Sequence, residues 1–198
     1  MPAISHVASG PWEKNLAALD RVSERLHRLT GALEQAGIPY ALVGDQAVAL
    51  WVASRDPAAV RTTKDVDILL NRDDLSRARG AARSVGMEYC EVVGVGMFLE
   101  RDDPNPRQGV HLIWAGEKVR PEYICTAPTL DERLRLEPGL HVVSLLGLVA
   151  MKLLANRDQD RVHLRDLIDV NLIERDLLTK LPSELAERLD ALLTESGR

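Results

Sequence analysis

Tyr40–Leu70, YALVGDQAVALWVASRDPAAVRTTKDVDILL, is the stretch whose reading decides the fold. Tyr40–Val43 is a short apolar run, predicted as a strand, that breaks at Gly44-Asp45. Ala47, Val48, Leu50 and Trp51 then recur at helical spacing. A basic, threonine-bearing loop follows at Arg61-Thr62-Thr63-Lys64, and Asp65-Val66-Asp67-Ile68-Leu69-Leu70 reads as a second strand. Alternation along a strand turns Asp65 and Asp67 one way and sends Val66 and Ile68 into the core. Two carboxylates side by side on a rigid strand repel each other. A divalent cation with a taste for hard oxygen ligands, usually Mg²⁺, relieves that repulsion. Taken alone, an Asp-x-Asp pair is more often a solvated strand end.

The order of strand, glycine turn, helix and Asp-x-Asp strand resembles the nucleotidyltransferase superfamily of the DNA polymerase β type. The resemblance implies an α/β (α+β) nucleotidyltransferase fold, a small mixed β-sheet flanked by helices, followed by a C-terminal helical bundle. It implies that Gly44, Asp45 and the following amides cradle a triphosphate at a helix N-terminus. It further implies that Arg61 and Thr63 contact or shape the nucleotide site. Asp65 and Asp67 would bind Mg²⁺, two ions in an active enzyme, for the attacking hydroxyl and the departing pyrophosphate.

The 198 residues suit one domain, or a core with a small helical appendage, and the 45% apolar content is enough for a real core. A formal charge of −5 gives no sign of a surface coated for nucleic acid and leaves room for a local basic groove. Cys90 and Cys125 lie far apart, fit no metal spacing and read as reduced thiols. No run reaches transmembrane length and Met1–Gly10 lacks the pattern of a signal peptide, so a soluble cytoplasmic protein is expected.

Residues 1–11 read as a loose tail, 12–139 as the nucleotidyltransferase core and 140–198 as a helical subdomain packed on it. Leu16, Leu19, Val22, Leu26, Leu29 and Leu33 predict a long helix from Pro11 to Ala36, stopped by Gly37 and Pro39. A helix is expected at Leu75–Val85. A hairpin of Glu88–Val93 and Met97–Glu100 would turn at Gly94 and Gly96, and a strand follows at Val110–Ala115. Arg72, Arg77, Arg79 and Arg83 read as a solvated face or, less simply, as a contact for a polyanion. Residues 117–139, broken by prolines, read as a connector with one short helix. Four helical segments follow: Val143–Ala155, Asp160 or Arg161 to Ile173, Asp176–Leu181, and Ser183–Leu193 with Ser183 as cap.

Lys152 is the sole charge between Leu145 and Ala155. An ammonium there must snorkel out, pair with an acid or meet an anion. Asn156-Arg157 and Arg165-Asp166-x-x-Asp169 follow, and Asp166 and Asp169 share one helix face. By itself this is an interhelical salt-bridge network. Together with the first stretch it looks like the C-terminal motifs of the AbiEii-type toxin family, which belongs to the same superfamily and acts in abortive infection and toxin–antitoxin systems. That resemblance implies that Lys152 contacts the nucleotide phosphates and that Asp166 orients Lys152 or the acceptor.

Two departures qualify the match. The turn residue usually Gly or Ser is Asp45, read here as a helix N-cap whose carboxylate would repel phosphate unless a metal or Lys152 intervenes. The third carboxylate common on a later strand is absent. His111 takes its place, either as a general base or as a packed strand residue, with Glu117 a weaker substitute. His6, His27, His141 and His163 show no ligand spacing and carry no assignment. The expected function is Mg²⁺-dependent transfer of NMP from an NTP to a hydroxyl on RNA, protein or a small molecule, with an antitoxin-like partner in view. The alternative is a non-catalytic module that binds a nucleotide or a partner.

Overall fold

The computed structural model describes residues 11–136 and 139–198. Apart from Pro11, the tail expected at 1–11 lies outside the described residues.

Helix α1 (Pro11–Gln35) buries Val22, Leu26, Leu29 and Leu33 along one stripe, as its spacing dictates. It stops where the chain reverses: Gly37 takes a φ of +63° and the Ile38 N–H donates to Leu33 O at 2.9 Å. The chain then enters β1 (Tyr40–Val43), every residue of which is buried. β1 runs antiparallel to β2 (Val66–Leu70), with Val43 opposite Asp67. Both strands lie in the middle of the sheet, so each reads as a near-continuous apolar run rather than as a strict alternation.

The remaining strands are β3 (Met87–Val92), β4 (Val95–Glu100), β5 (Val110–Trp114), β6 (Leu134–Leu136) and β7 (Leu140–Val142). They form one mixed sheet in the order β3-β4-β5-β2-β1-β7-β6. β5 lies parallel to β2 and sets His111 beside Asp67; β7 lies parallel to β1. Helix α3 (Leu75–Ser84) packs on α1 and β3. A second group consists of α2 (Gly44–Ala53), α4 (Leu145–Ala155), α5 (Asp158–Asp169) and α6 (Ser183–Glu195). Within it α4 touches α2, α5 and α6, and the Trp51 indole N–H of α2 donates to Val143 O at 3.1 Å.

Several expectations need correction. Residues 117–139 hold more than a connector: β6 lies there, beside one 3-10 turn at Leu130–Glu132, and the line drawn at 139/140 falls inside the β6–β7 hairpin. Strands of three residues leave no period to detect. The β3–β4 turn uses Val93 and Gly94, both at positive φ, while Gly96 belongs to β4. Leu145, not Val143, opens α4, because the Ser144 hydroxyl accepts the Gly147 N–H at 3.2 Å. Helix α5 runs Asp158–Asp169, earlier at both ends than the pattern suggested. Arg175–Lys180 is a 3-10 helix, and α6 is preceded by Pro182 rather than capped by the Ser183 side chain.

The arginines of the α3 region are occupied. Arg72 forms a two-pronged pair with Glu117, Arg77 bonds Asp74 and the Ala36 carbonyl, Arg83 bonds Glu88, and Arg79 lies over the Tyr89 ring. They make a solvated structural face, and no polyanion contact is needed to explain them. Glu117, held by Arg72, does not line the cleft described next. For the α4 cap, Ser144→Ala is expected to cost about 1 kcal/mol in urea unfolding, the usual loss of one capping hydroxyl.

Candidate active site

The first wall of the site is built at the β1–α2 turn. Gly44 opens α2 with a φ of +64°, a conformation that suits glycine, and a Cβ placed there would lie 2.1 Å from Asp67 Oδ2. The backbone and the Asp67 carboxylate therefore approach as closely as they do only because position 44 has no side chain. Gly44→Ala is expected to lose about 2 kcal/mol in thermal unfolding from backbone conformation alone, and to displace Asp67 as well.

Asp45 corrects the sequence reading. It sits in the first turn of α2, one residue past the start, and caps no helix amide. Its carboxylate faces across to the C-terminal helices, accepting from Lys152 Nζ at 2.7 Å and from Gln159 Nε2 at 2.7 Å.

Lys152 is 4% exposed and does not snorkel out. Besides Asp45 it lies 3.1 Å from Asp160 Oδ1 and 3.0 Å from His163 Nδ1. Three partners match the three N–H donors of an ammonium, which is what makes a buried charge tolerable. Asp160 is fully buried. Burial alone would raise its pKa, but Arg157 Nε at 2.7 Å and the Lys152 charge outweigh it and hold the carboxyl below its ordinary range. Asp160 also accepts the Arg157 N–H at the start of α5, so the residue that ends one helix cap anchors the lysine.

The Nδ1 of His163 lies 3.3 Å from Asp45 Oδ1 as well, a contact that attracts only when Nδ1 carries a proton. Burial, then the Lys152 charge, push the His163 pKa down, which favours the neutral ring; in the tautomer that carries its hydrogen on Nε2, Nδ1 accepts from Lys152. A depressed histidine pKa contributes stability that is full above its unfolded value, 6.5, and is lost as pH falls through the folded value. The urea midpoint is therefore expected to drop as pH falls below 6.5, and His163→Gln to flatten that slope.

The second wall carries the acids. Asp65 precedes β2, which starts at Val66, and its N–H donates to Thr63 Oγ1 at 3.3 Å. Asp67 lies within β2, about a quarter exposed, with His111 Nδ1 3.3 Å from its Oδ1. The hydrogen bond to Asp67 raises the His111 pKa against the opposing effect of burial. The His111 ring is placed to hold and orient the Asp67 carboxylate across the β2–β5 strand pair.

Gly44, Asp45, Asp65, Asp67, His111 and Lys152 all line one cleft of about 350 Å³. Three other expected site residues do not. Arg61, Thr63 and Asp166 line an adjoining pocket that shares only Asp45, Asp65 and Gln159 with the cleft. Asp166 does not orient Lys152; it accepts from Arg61 Nε at 2.7 Å and ties the basic loop to α5. Asp160 and His163 were missed from sequence, although their signal is visible afterwards: with Leu164 and Leu167 they form the buried face of α5. Arg120 and Tyr123 also line the cleft unannounced, as does Arg157 of the C-terminal motif.

A glycine turn opening a helix beside Asp67 of β2 and Asp65 just ahead of it, on a mixed sheet of this order, defines a nucleotidyltransferase fold, and solved structures agree. An antigenic nucleotidyltransferase-like protein from Paracoccidioides brasiliensis aligns with a TM-score of 0.56 at 21% identity, over 89% of this chain and 88% of its own. The antibiotic-resistance factor ANT(2'')-Ia aligns with a TM-score of 0.50 at 12% identity, over 89% and 92%. At such identities the likeness concerns the fold alone. The family model described as "Nucleotidyl transferase AbiEii toxin, Type IV TA system" matches residues 47–198, and the chain belongs to that family. Gly44 and Asp45 precede the matched span. No curated protein sequence matches significantly. Among the described residues no helix is long and apolar enough to cross a membrane.

Proposed function

We propose that this protein transfers a nucleotidyl group from an NTP to a hydroxyl acceptor with Mg²⁺, releasing pyrophosphate. The observation that carries the proposal is that Asp65, Asp67, Gly44 and Lys152, distant in sequence, line a single cleft. In the transfer, the acceptor oxygen bonds to the α-phosphorus while the bond from that phosphorus to the pyrophosphate oxygen breaks. The hydroxyl proton passes to solvent.

The donor set suits Mg²⁺. Among the described residues no group of three or more His, Cys, Asp or Glu side chains forms a metal cage. Mg²⁺ characteristically takes one or two carboxylates and completes its shell with water and substrate phosphate, which two adjacent, partly exposed acids allow. Held by Asp65 and Asp67, the ion would supply charge stabilisation to the phosphate oxygens. Gly44 lets the Asp67 carboxylate, and a cation on it, come close to the α2 N-terminus, whose dipole favours an anion. Lys152 adds positive charge to the same cleft, and His111 fixes Asp67.

The test is incubation of the purified protein and Mg²⁺ with cell extract and each α-labelled NTP. Label in RNA, in a protein band or in a small molecule identifies the acceptor class. Absence of label with all four nucleotides overturns the catalytic proposal. The family's place in type IV toxin–antitoxin systems supports a toxin role opposed by an antitoxin partner, for which growth arrest on expression is the corresponding readout.

One observation favours a second reading, a module that binds without turnover: Asp45, Asp160 and His163 already occupy every donor of Lys152. A phosphate reaching Lys152 has to replace Asp45. Asp45→Ser is therefore expected to tighten NTP binding roughly tenfold, about the worth of one hydrogen bond to a charged group. Unchanged binding by this variant, together with no labelling, is the outcome that supports the module.

A further inference from the structure

Lys152 Nζ, His163 Nδ1 and Asp45 Oδ1 form a closed triangle, with sides of 2.7 Å from Lys152 to Asp45, 3.0 Å from Lys152 to His163 and 3.3 Å from His163 to Asp45. All three sides cannot attract at once. With Nδ1 unprotonated, the ring accepts from Lys152 and turns a lone pair toward the Asp45 carboxylate. With a proton on Nδ1, the ring donates to Asp45 and repels the ammonium. The triangle therefore has two arrangements, and Asp45 is paired in both, once with Lys152 and once with His163.

Each corner is also held from outside the triangle. Gln159 Nε2 donates to Asp45 Oδ2 at 2.7 Å, and Asp160 Oδ1 lies 3.1 Å from Lys152 Nζ, so opening the Lys152–Asp45 contact strips neither residue of its last partner. The charges that face the ring are Lys152 of α4, Asp45 of α2, and Asp166 and Asp160 of its own helix; Asp166 is itself tied to Arg61. Helix α6, which also packs on α5, meets it through the Arg165–Glu195 pair. His163, 8% exposed, lines the adjoining pocket with Lys64 and Asp65, Lys152 lines the cleft, and Asp45 lines both. A proton can thus reach the ring from one side while a ligand meets the lysine on the other.

The Lys152 charge beside the ring favours the unprotonated arrangement. An anion that engages Lys152 from the cleft offsets that charge and leaves Asp45 in need of another partner. Resting on the reading of Lys152 as a phosphate contact, we propose that His163 is a positioning residue that takes Asp45 over from Lys152 when a polyphosphate enters the cleft. In this step one proton from solvent bonds to the Nδ1 lone pair, and the ring becomes an imidazolium that donates to Asp45. Lys152 turns the N–H groups released by Asp45 and Nδ1 toward phosphate oxygens and keeps Asp160. The carboxylate that would repel phosphate is thereby neutralised in place. Because the ring binds its proton more tightly with ligand present, linkage requires polyphosphate to bind more tightly as pH falls.

The experiment is calorimetry of the full chain with Mg²⁺, using inorganic tripolyphosphate and each NTP, in buffers of different ionisation heat, which counts the protons exchanged on binding. The wild type is expected to take up roughly half to one proton more than His163→Gln, and to gain up to about tenfold more affinity per unit fall in pH, the limit for one coupled proton. Asp45→Asn is expected to lose the same uptake, since no carboxylate remains to hold the imidazolium. In the wild type, the NMR signal of the His163 ring, one of five histidines, is expected to titrate at higher pH with tripolyphosphate than without. That titration decides the matter alone if His163→Gln does not fold. An equal proton count in wild type and His163→Gln, or a His163 titration that the ligand does not move, overturns this inference and leaves the phosphate reading intact. Failure of every phosphate compound to bind removes the proposed function and this inference with it.

Discussion

Lys152→Met is expected to lower the unfolding free energy by about 3–5 kcal/mol, the usual consequence of deleting one partner from a buried ion pair. The reason is local. Asp45 at the edge of the cleft and Asp160, fully buried where water does not reach freely, would keep their charges having lost the ammonium that balanced them. Arg157 remains beside Asp160 and softens the loss without removing it. The signature of this explanation is non-additivity. Lys152→Met combined with Asp160→Asn should be appreciably less destabilised than the two single changes summed, as measured by urea unfolding. Strict additivity would mean that the acids are not held by the lysine.

Asp67→Asn is expected to reduce nucleotidyl transfer by roughly a thousandfold, at the upper end of losing one charge-organising group in an active site, while altering stability little. Asp67 lies between the Gly44 turn, which approaches it closely, and the imidazole of His111. The amide keeps the shape and gives up the charge that would hold a cation. Asp166→Asn makes the internal comparison. It breaks the tie between α5 and the Arg61 loop in the adjoining pocket, so it should affect transfer far less than Asp67→Asn. Full transfer activity in Asp67→Asn would refute the role given to this carboxylate.

The central strands were legible because burial on both faces leaves a plain record: YALV and VDILL can be little else between a glycine turn and a polar loop. The long stripe of α1 and the single charge in α4 were equally plain. The β6–β7 hairpin was not, since each strand is three residues long and the hairpin is held through the pairing of β7 with β1 rather than by a pattern of its own. The partners of Lys152 were hidden for a related reason. The spacing of α5 places Asp160 and His163 on its inner face, but nothing local tells which helix that face meets.

The motif sequence by itself determined the sheet's central pair and the family resemblance, because each depends on short-range spacing or on the need of apolar side chains to leave water. Tertiary structure decided who pairs with whom. It moved Asp166 from the lysine to Arg61, gave Lys152 to Asp45, Asp160 and His163, and set His111 against Asp67 across a parallel strand pair. Charges buried together must neutralise one another at distances of a few ångströms, and such distances are set by helix packing and strand order, which spacing along the chain does not encode.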